Sequence, residues 1–253
     1  MARTARRSLR IDPLPGLALV LVLVIALMPS SRPFFAWAFP EIDPPVYEAD
    51  SFFMLFLSHA GFVAVSSLLS AALGILFGIF ATRRIGRDFR TLIGTVATIG
   101  QTFPPVAVLA IAVPALGYGA LPVLVALAIY GLLPIVENTI AGLESVPPPV
   151  KEAASGMGLS PLQLLFQVEL PLAAATILAG IRISVIINIG TAAIGSTIGA
   201  VTLGTPIIDG LVSDKLSYVL QGAVILGLFA IITDMGFERL ERRLKRHLKG
   251  REP

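Results

Sequence analysis

Cysteine is absent from the 253 residues, which excludes disulfides, thiolate nucleophiles and cysteine-based metal sites. No lysine follows a glycine, so the G-x-x-x-x-G-K-[ST] phosphate loop is missing and the chain has no such nucleotide site. Charge is scarce, with Asp, Glu, Lys and Arg together supplying 14% of residues. What takes their place is apolar: 55% of residues are hydrophobic and the mean hydropathy is +0.86, too high for a soluble domain of this size. The apolar residues come in continuous runs of Leu, Val, Ile, Ala and Gly. They do not form the alternating ten-residue segments of a membrane barrel. The fold class expected is all-α, a polytopic membrane helix bundle.

Six candidate spans follow from those runs: 14–37, 51–81, 91–116, 121–136, 172–203 and 218–237. The second and fifth exceed the twenty or so residues a bilayer requires and should tilt, break or project. Arg3, Arg6, Arg7 and Arg10 precede the first span; Arg83, Arg84, Arg87 and Arg90 follow the second; Arg239, Arg242, Arg243, Lys245, Arg246, Lys249 and Arg251 follow the sixth. If each span crosses once, these clusters share one side. The other side receives Glu41, Asp43, Glu48 and Asp50, with only Arg32 and Lys215 as basic residues. The positive-inside rule places both termini in the cytoplasm. Such clustering speaks for lipid contact, and no nucleic-acid partner is expected. The Arg-rich start and Ala36-Trp37-Ala38 also fit, loosely, a cleaved secretory signal, which would leave five spans.

Between the fourth and fifth spans lies KEAASGMGLSPLQLLFQVELP, Lys151 to Pro171. Pro147, Pro148 and Pro149 forbid a continuous helix out of the fourth span. Glu152 then falls near the start of a short helix, where its charge suits the positive end of the macrodipole. Ala153 and Ala154 keep that helix slim, and Gly158 can close it in a left-handed conformation. Ser160, Pro161 and Gln163 form an N-cap, a first-turn proline and a capping box for a second helix. Leu162, Leu165, Phe166 and Glu169 are expected on one side of it, and Leu170-Pro171 to start the next membrane helix. The segment reads as a surface helix-turn-helix.

The residues Glu152-Ala153-Ala154, Gly158, Val168 and Leu170-Pro171, at that spacing, resemble the cytoplasmic coupling loop of permease subunits of binding-protein-dependent ABC importers, with valine where isoleucine is usual. GQTFPPVAVLAIAVPALGYG from Gly100, IYGLLPIVENTIAGL from Ile129 and INIGTAAIGSTIGAVTLGTPI from Ile187 are similar to the osmoprotectant branch, importers of glycine betaine, choline, carnitine or proline. The resemblance implies a MetI-like bundle in the bacterial inner membrane, driven by a separate cytoplasmic ABC ATPase that carries the ATP and Mg. It implies no cofactor on this chain, and as partners an extracytoplasmic substrate-binding protein and a second permease subunit, identical or related. The divisions expected are a basic segment 1–13, a first span and loop 14–50, a permease core 51–237 with the coupling loop 137–171, and a basic tail 238–253. An importer of amino acids or another small solute stays open, as does an ATP-independent secondary transporter. With one Trp and four Tyr the chain is poor in material for an aromatic cage, so selection is expected in the binding protein.

The spans add weaker signals. Gln101, Thr102, Pro104 and Pro105 free backbone carbonyls that need partners, as in a translocation path or in a kinked packing helix. Asn188 and Thr191, with Gly195 nearby, form a polar and small strip that suits a path or a subunit contact. Gly74 and Gly78, and Gly195 and Gly199, each make a G-x-x-x-G suited to close packing. His59 reads as a packed imidazole. Glu137 and Arg182 are charges near the basic side, candidates for an inner gate or for bracing the coupling loop.

Overall fold

The computed structural model describes residues 12–249, in which every regular element is helical. The Arg3, Arg6, Arg7 and Arg10 cluster and Arg251 lie outside the described residues. Asp12 Oδ1 accepts from the Leu14 amide at 3.1 Å and starts α1, Pro13–Leu27. Pro29 sits in a 3-10 turn, Met28–Ser31, beyond which α2, Arg32–Ala38, completes the first candidate span. Ser51 caps α3, Phe52–Thr82, whose 31 residues span about 47 Å, well beyond a hydrocarbon core of roughly 30 Å. After α3 come α4, Arg90–Thr102, and α5, Pro105–Leu116, then α6, Ala120–Glu144. The segment after α6 contains α7, Pro148–Gly156, and α8, Pro161–Leu164; α9 is Leu170–Ala192, α10 Gly204–Val212 and α11 Leu216–Lys249.

Among the described residues five helices are long and apolar enough to cross a membrane, and the expected third span is a broken pair, α4 and α5, bent by 96°. Phe103 and Pro104 are extended at that break, because Pro104 and Pro105 cannot donate to an α-helical ladder. The fourth span runs two turns beyond its expected end at Val136, so Glu137 lies inside a helix. Nothing in Glu137–Glu144 breaks α6; the stop comes at the prolines. The sixth span and the basic tail as far as Lys249 are one uninterrupted helix.

The bundle is built on α3, α6 and α9. A Cβ on Gly74 would stand 2.7 Å from Ile135 Cγ2, and one on Gly78 2.5 Å from Thr139 Cβ, so this G-x-x-x-G lets α3 and α6 touch backbone to side chain. Gly195 and Gly199 do something else. The helix has already ended at Ala192, and Gly199, at φ +83°, closes the 3-10 turn Ala193–Ile198 in the left-handed region. Across the bundle, buried Asn188 Nδ2 donates to Ser66 Oγ and Ser67 Oγ at 3.3 and 3.1 Å, joining α9 to α3. The buried His59 Nε2 donates to the Ile189 carbonyl at 3.0 Å, as a packed imidazole should. At the acidic end, Gln221 of α11 clamps the loop before α3: its Oε1 accepts from the Tyr47 amide at 3.0 Å and its Nε2 donates to the Pro45 carbonyl at 2.9 Å.

Candidate coupling site

The segment between α6 and α9 takes shape from its punctuation. Pro147 is extended, α7 begins on Pro148, and Gly158 follows at φ +86°, a conformation that costs an L-residue about 1–2 kcal/mol. Ser160 Oγ accepts from the Gln163 amide at 3.3 Å while Gln163 Oε1 accepts from the Ser160 amide at 2.8 Å, the reciprocal capping box the sequence predicts.

Beyond α8 the structure departs from that expectation. No turn separates α8 from α9. A π turn, Leu165–Glu169, joins them, with the Leu170 amide donating to the Leu165 carbonyl five residues back. Pro171 has no N–H and its ring crowds the carbonyl four residues earlier; the widened turn removes that conflict without ending the helix. Leu162, Leu165, Phe166 and Glu169 accordingly do not share a face. Leu162 and Phe166 are 68% and 63% exposed, whereas Leu165 and Glu169 are 5% and 3% exposed. The outer surface of the segment includes Glu152, Ala153, Gly158, Ser160, Leu162, Phe166 and Pro171, with Met157 projecting beside them, while Ala154 is buried beneath and Leu170 is half-buried.

Glu169 is the feature that sequence reading missed. Arg83 Nη1, at the end of α3, donates to its Oε2 at 2.7 Å, and Lys151 Nζ, on α7, lies 3.2 Å from its Oε1. Lys151 Nζ also donates to the Leu143 carbonyl in the last turn of α6 at 3.0 Å. Thr82 Oγ1 accepts from Arg83 Nε and Nη2, holding the guanidinium in place. One buried carboxylate thus ties α3, α7 and the root of α9 together, and through Lys151 the end of α6. A second pair closes the same end of the bundle: Arg90, opening α4, makes a two-pronged contact with Glu144, the last residue of α6. The available signal was a lone carboxylate in the apolar run LLFQVELPLAAA, a position where a charge needs a partner.

The path candidates separate into distinct environments. At the α4–α5 break, the Tyr130 hydroxyl of α6 donates to the free Phe103 carbonyl, so a neighbouring helix supplies the missing partner. Gln101 is half-buried, and Thr102, whose hydroxyl donates back to the Thr98 carbonyl at 2.5 Å, is exposed with Pro104, while Pro105 is partly covered. Asn188 is fully buried in the seam with α3 and does not line an open surface of this chain; Thr191 is half-buried. Glu137 is exposed on α6. Arg182 does not reach the coupling segment. Its Nε and Nη2 donate to Asp234 Oδ1 and Oδ2 of α11, each at 2.6 Å, and its Nη1 lies 3.8 Å from Glu241. That pairing explains how α9 tolerates an arginine: α11 presents two carboxylates along the facing side.

Residues 74–246 match the family described as the inner membrane component of binding-protein-dependent transport systems. The chain belongs to that family. Similar proteins include the osmoprotectant import permease protein OsmY of Salmonella typhimurium, 38% identical over 92% of this chain and 95% of that protein. The choline transport system permease protein OpuBB of Bacillus subtilis is 41% identical over 70% of this chain and 83% of that protein. Among solved structures, the inward facing MetNI methionine ABC transporter aligns with a TM-score of 0.66 at 21% identity, over 74% of this chain and 93% of that one. This permease therefore shares the MetI-like fold, and residues 74–246 contain the segment between α6 and α9, the Glu169 cluster and the Arg182–Asp234 pair.

Proposed function

We propose that this permease forms one half of the translocation path of an ABC importer for a small quaternary-ammonium osmoprotectant of the glycine betaine, choline or carnitine kind. The carrying observation is the coupling segment itself. An exposed, partly apolar outer face, with Met157, Leu162 and Phe166 standing free, is mounted on a buried ionic anchor, as a surface that receives force from another protein requires. The Arg-rich end faces the cytoplasm under the positive-inside rule, which puts both termini and this surface there, in a bacterial inner membrane. A separate ABC ATPase carrying ATP and Mg docks on it, and closure of two ATPases rocks two permease subunits between outward- and inward-facing states. An extracytoplasmic binding protein supplies the solute. The substrate class rests on relatives named for osmoprotectant, choline and carnitine transport.

The test is labelled glycine betaine uptake into proteoliposomes holding this permease, its partner permease, the ATPase and the binding protein. Uptake that needs both ATP and the binding protein is expected. Binding-protein-stimulated ATP hydrolysis without betaine uptake would discard the substrate, and uptake indifferent to ATP would discard the mechanism.

A further inference from the structure

We infer that Glu169 is the transmission pin of this permease, a positioning residue that makes α7, the end of α3 and the root of α9 move as one body; the inference rests on the ABC reading above. Three observations converge on it. Its side chain is 4% exposed and spends both carboxylate oxygens on cations from different elements, Arg83 of α3 and Lys151 of α7. It occupies the last position of the π turn, a rare widened turn that often marks functional positions and that here carries α8 into α9 without a break. Without that extra residue per turn, Glu169 would rotate toward the exposed Leu162 and Phe166 stripe, and the charge would leave the interior.

A push on the outer face of α7 then has two routes into the membrane. One runs along the continuous α8–α9 helix; the other passes through Lys151, Glu169 and Arg83 into α3. Glu152 and Ala153, on the docking side of α7, make no such inward bond, so the pin and the docking face are separate groups on one short helix. Lys151 adds the end of α6 through the Leu143 carbonyl, so α3, α6 and α9 all receive the same displacement.

Lys151→Met is the sharper variant, because it removes the α7 arm and leaves the Arg83–Glu169 pair in place. In the reconstituted full complex, the expected result is normal ATPase co-purification and ATP hydrolysis, with betaine taken up per ATP hydrolysed lower by roughly ten-fold or more. Lys151→Arg, which keeps the charge, should restore most of it, and Glu169→Gln should reproduce the uncoupling. Wild-type uptake per ATP in Lys151→Met would overturn the pin. So would loss of ATPase co-purification in that variant, since the residue would then shape the docking face. A second readout is independent of substrate and ATPase: the natural absence of cysteine permits spin labels at Ser155 and Arg84, both exposed. Their distance distribution should be narrow in the otherwise wild-type permease and broad with Lys151→Met. An unchanged distribution would overturn the pin even if the ABC reading stands, whereas ATP-independent wild-type uptake would overturn that reading and the transmission role with it, leaving only the rigid link between α7 and α3.

Discussion

Two glycines, two residues apart, should respond to alanine with opposite signs. Gly158 stands at φ +86° with no heavy atom within 4 Å of the position a Cβ would take, so Gly158→Ala introduces no clash. Its cost is backbone strain alone, about 1–2 kcal/mol. Gly156 closes α7 in helical geometry, also with open space at its Cβ, so Gly156→Ala should stabilise by about 0.5 kcal/mol through a less flexible unfolded chain. Amide hydrogen exchange across 150–164 in detergent reads this local stability. Gly158→Ala should speed exchange there by roughly 5- to 30-fold, and Gly156→Ala should slow it by about two-fold. Gly158→Asn, which tolerates the left-handed region better, should fall between wild type and alanine. Unchanged or slower exchange in Gly158→Ala would refute the reasoning, because it would mean that the corner at Gly158 is not held left-handed.

Ser160→Ala removes half of the capping box and should destabilise the α8 start by about 1 kcal/mol, visible in the same exchange experiment as faster protons at Leu162 and Gln163. Arg182→Ala leaves Asp234 without its bidentate partner; with those side chains 26% and 40% exposed, the loss should be about 1–3 kcal/mol, below that of a fully buried pair. Thermal unfolding in detergent should show Arg182→Ala/Asp234→Ala recovering part of that loss, and full ATP-driven uptake by assembled Arg182→Ala would remove a gating role. Tyr47 has its hydroxyl pushed above its ordinary value near 10 by burial, then by the charges of Asp209 and Asp50. A raised folded value means that this contribution is complete below pH about 10 and is lost as pH rises further, because the unfolded chain ionises first. Tyr47→Phe should therefore flatten the alkaline limb of the stability curve; a limb unchanged by the substitution would show that Tyr47 does not set it.

Local chemistry made several features readable before any fold was known. The prolines after α6, the left-handed Gly158, the Ser160–Gln163 box and the Gly74–Gly78 contact each depend on neighbours in the chain or on one helix face, and each stands as expected. Leu170-Pro171 does open α9, but the separation from α8 that a proline there suggests is missing, for a definite reason. Proline predicts a break because it conflicts with an α-helical ladder, and the π turn resolves that conflict by changing the ladder. The choice between those outcomes depends on what Leu165 and Glu169 are packed against, which the local sequence does not contain.

Composition and spacing alone determined that this protein is a membrane helix bundle with a shaped surface segment, because burial in lipid demands long apolar runs and a capped turn demands particular residues at fixed intervals. Only the tertiary structure decided which charges meet. Arg83 and Glu169 are 86 residues apart, Arg182 and Asp234 52 apart, and neither pairing can be read from periodicity. In a low-dielectric interior a charge must find a partner, but which partner is set by how the helices pack.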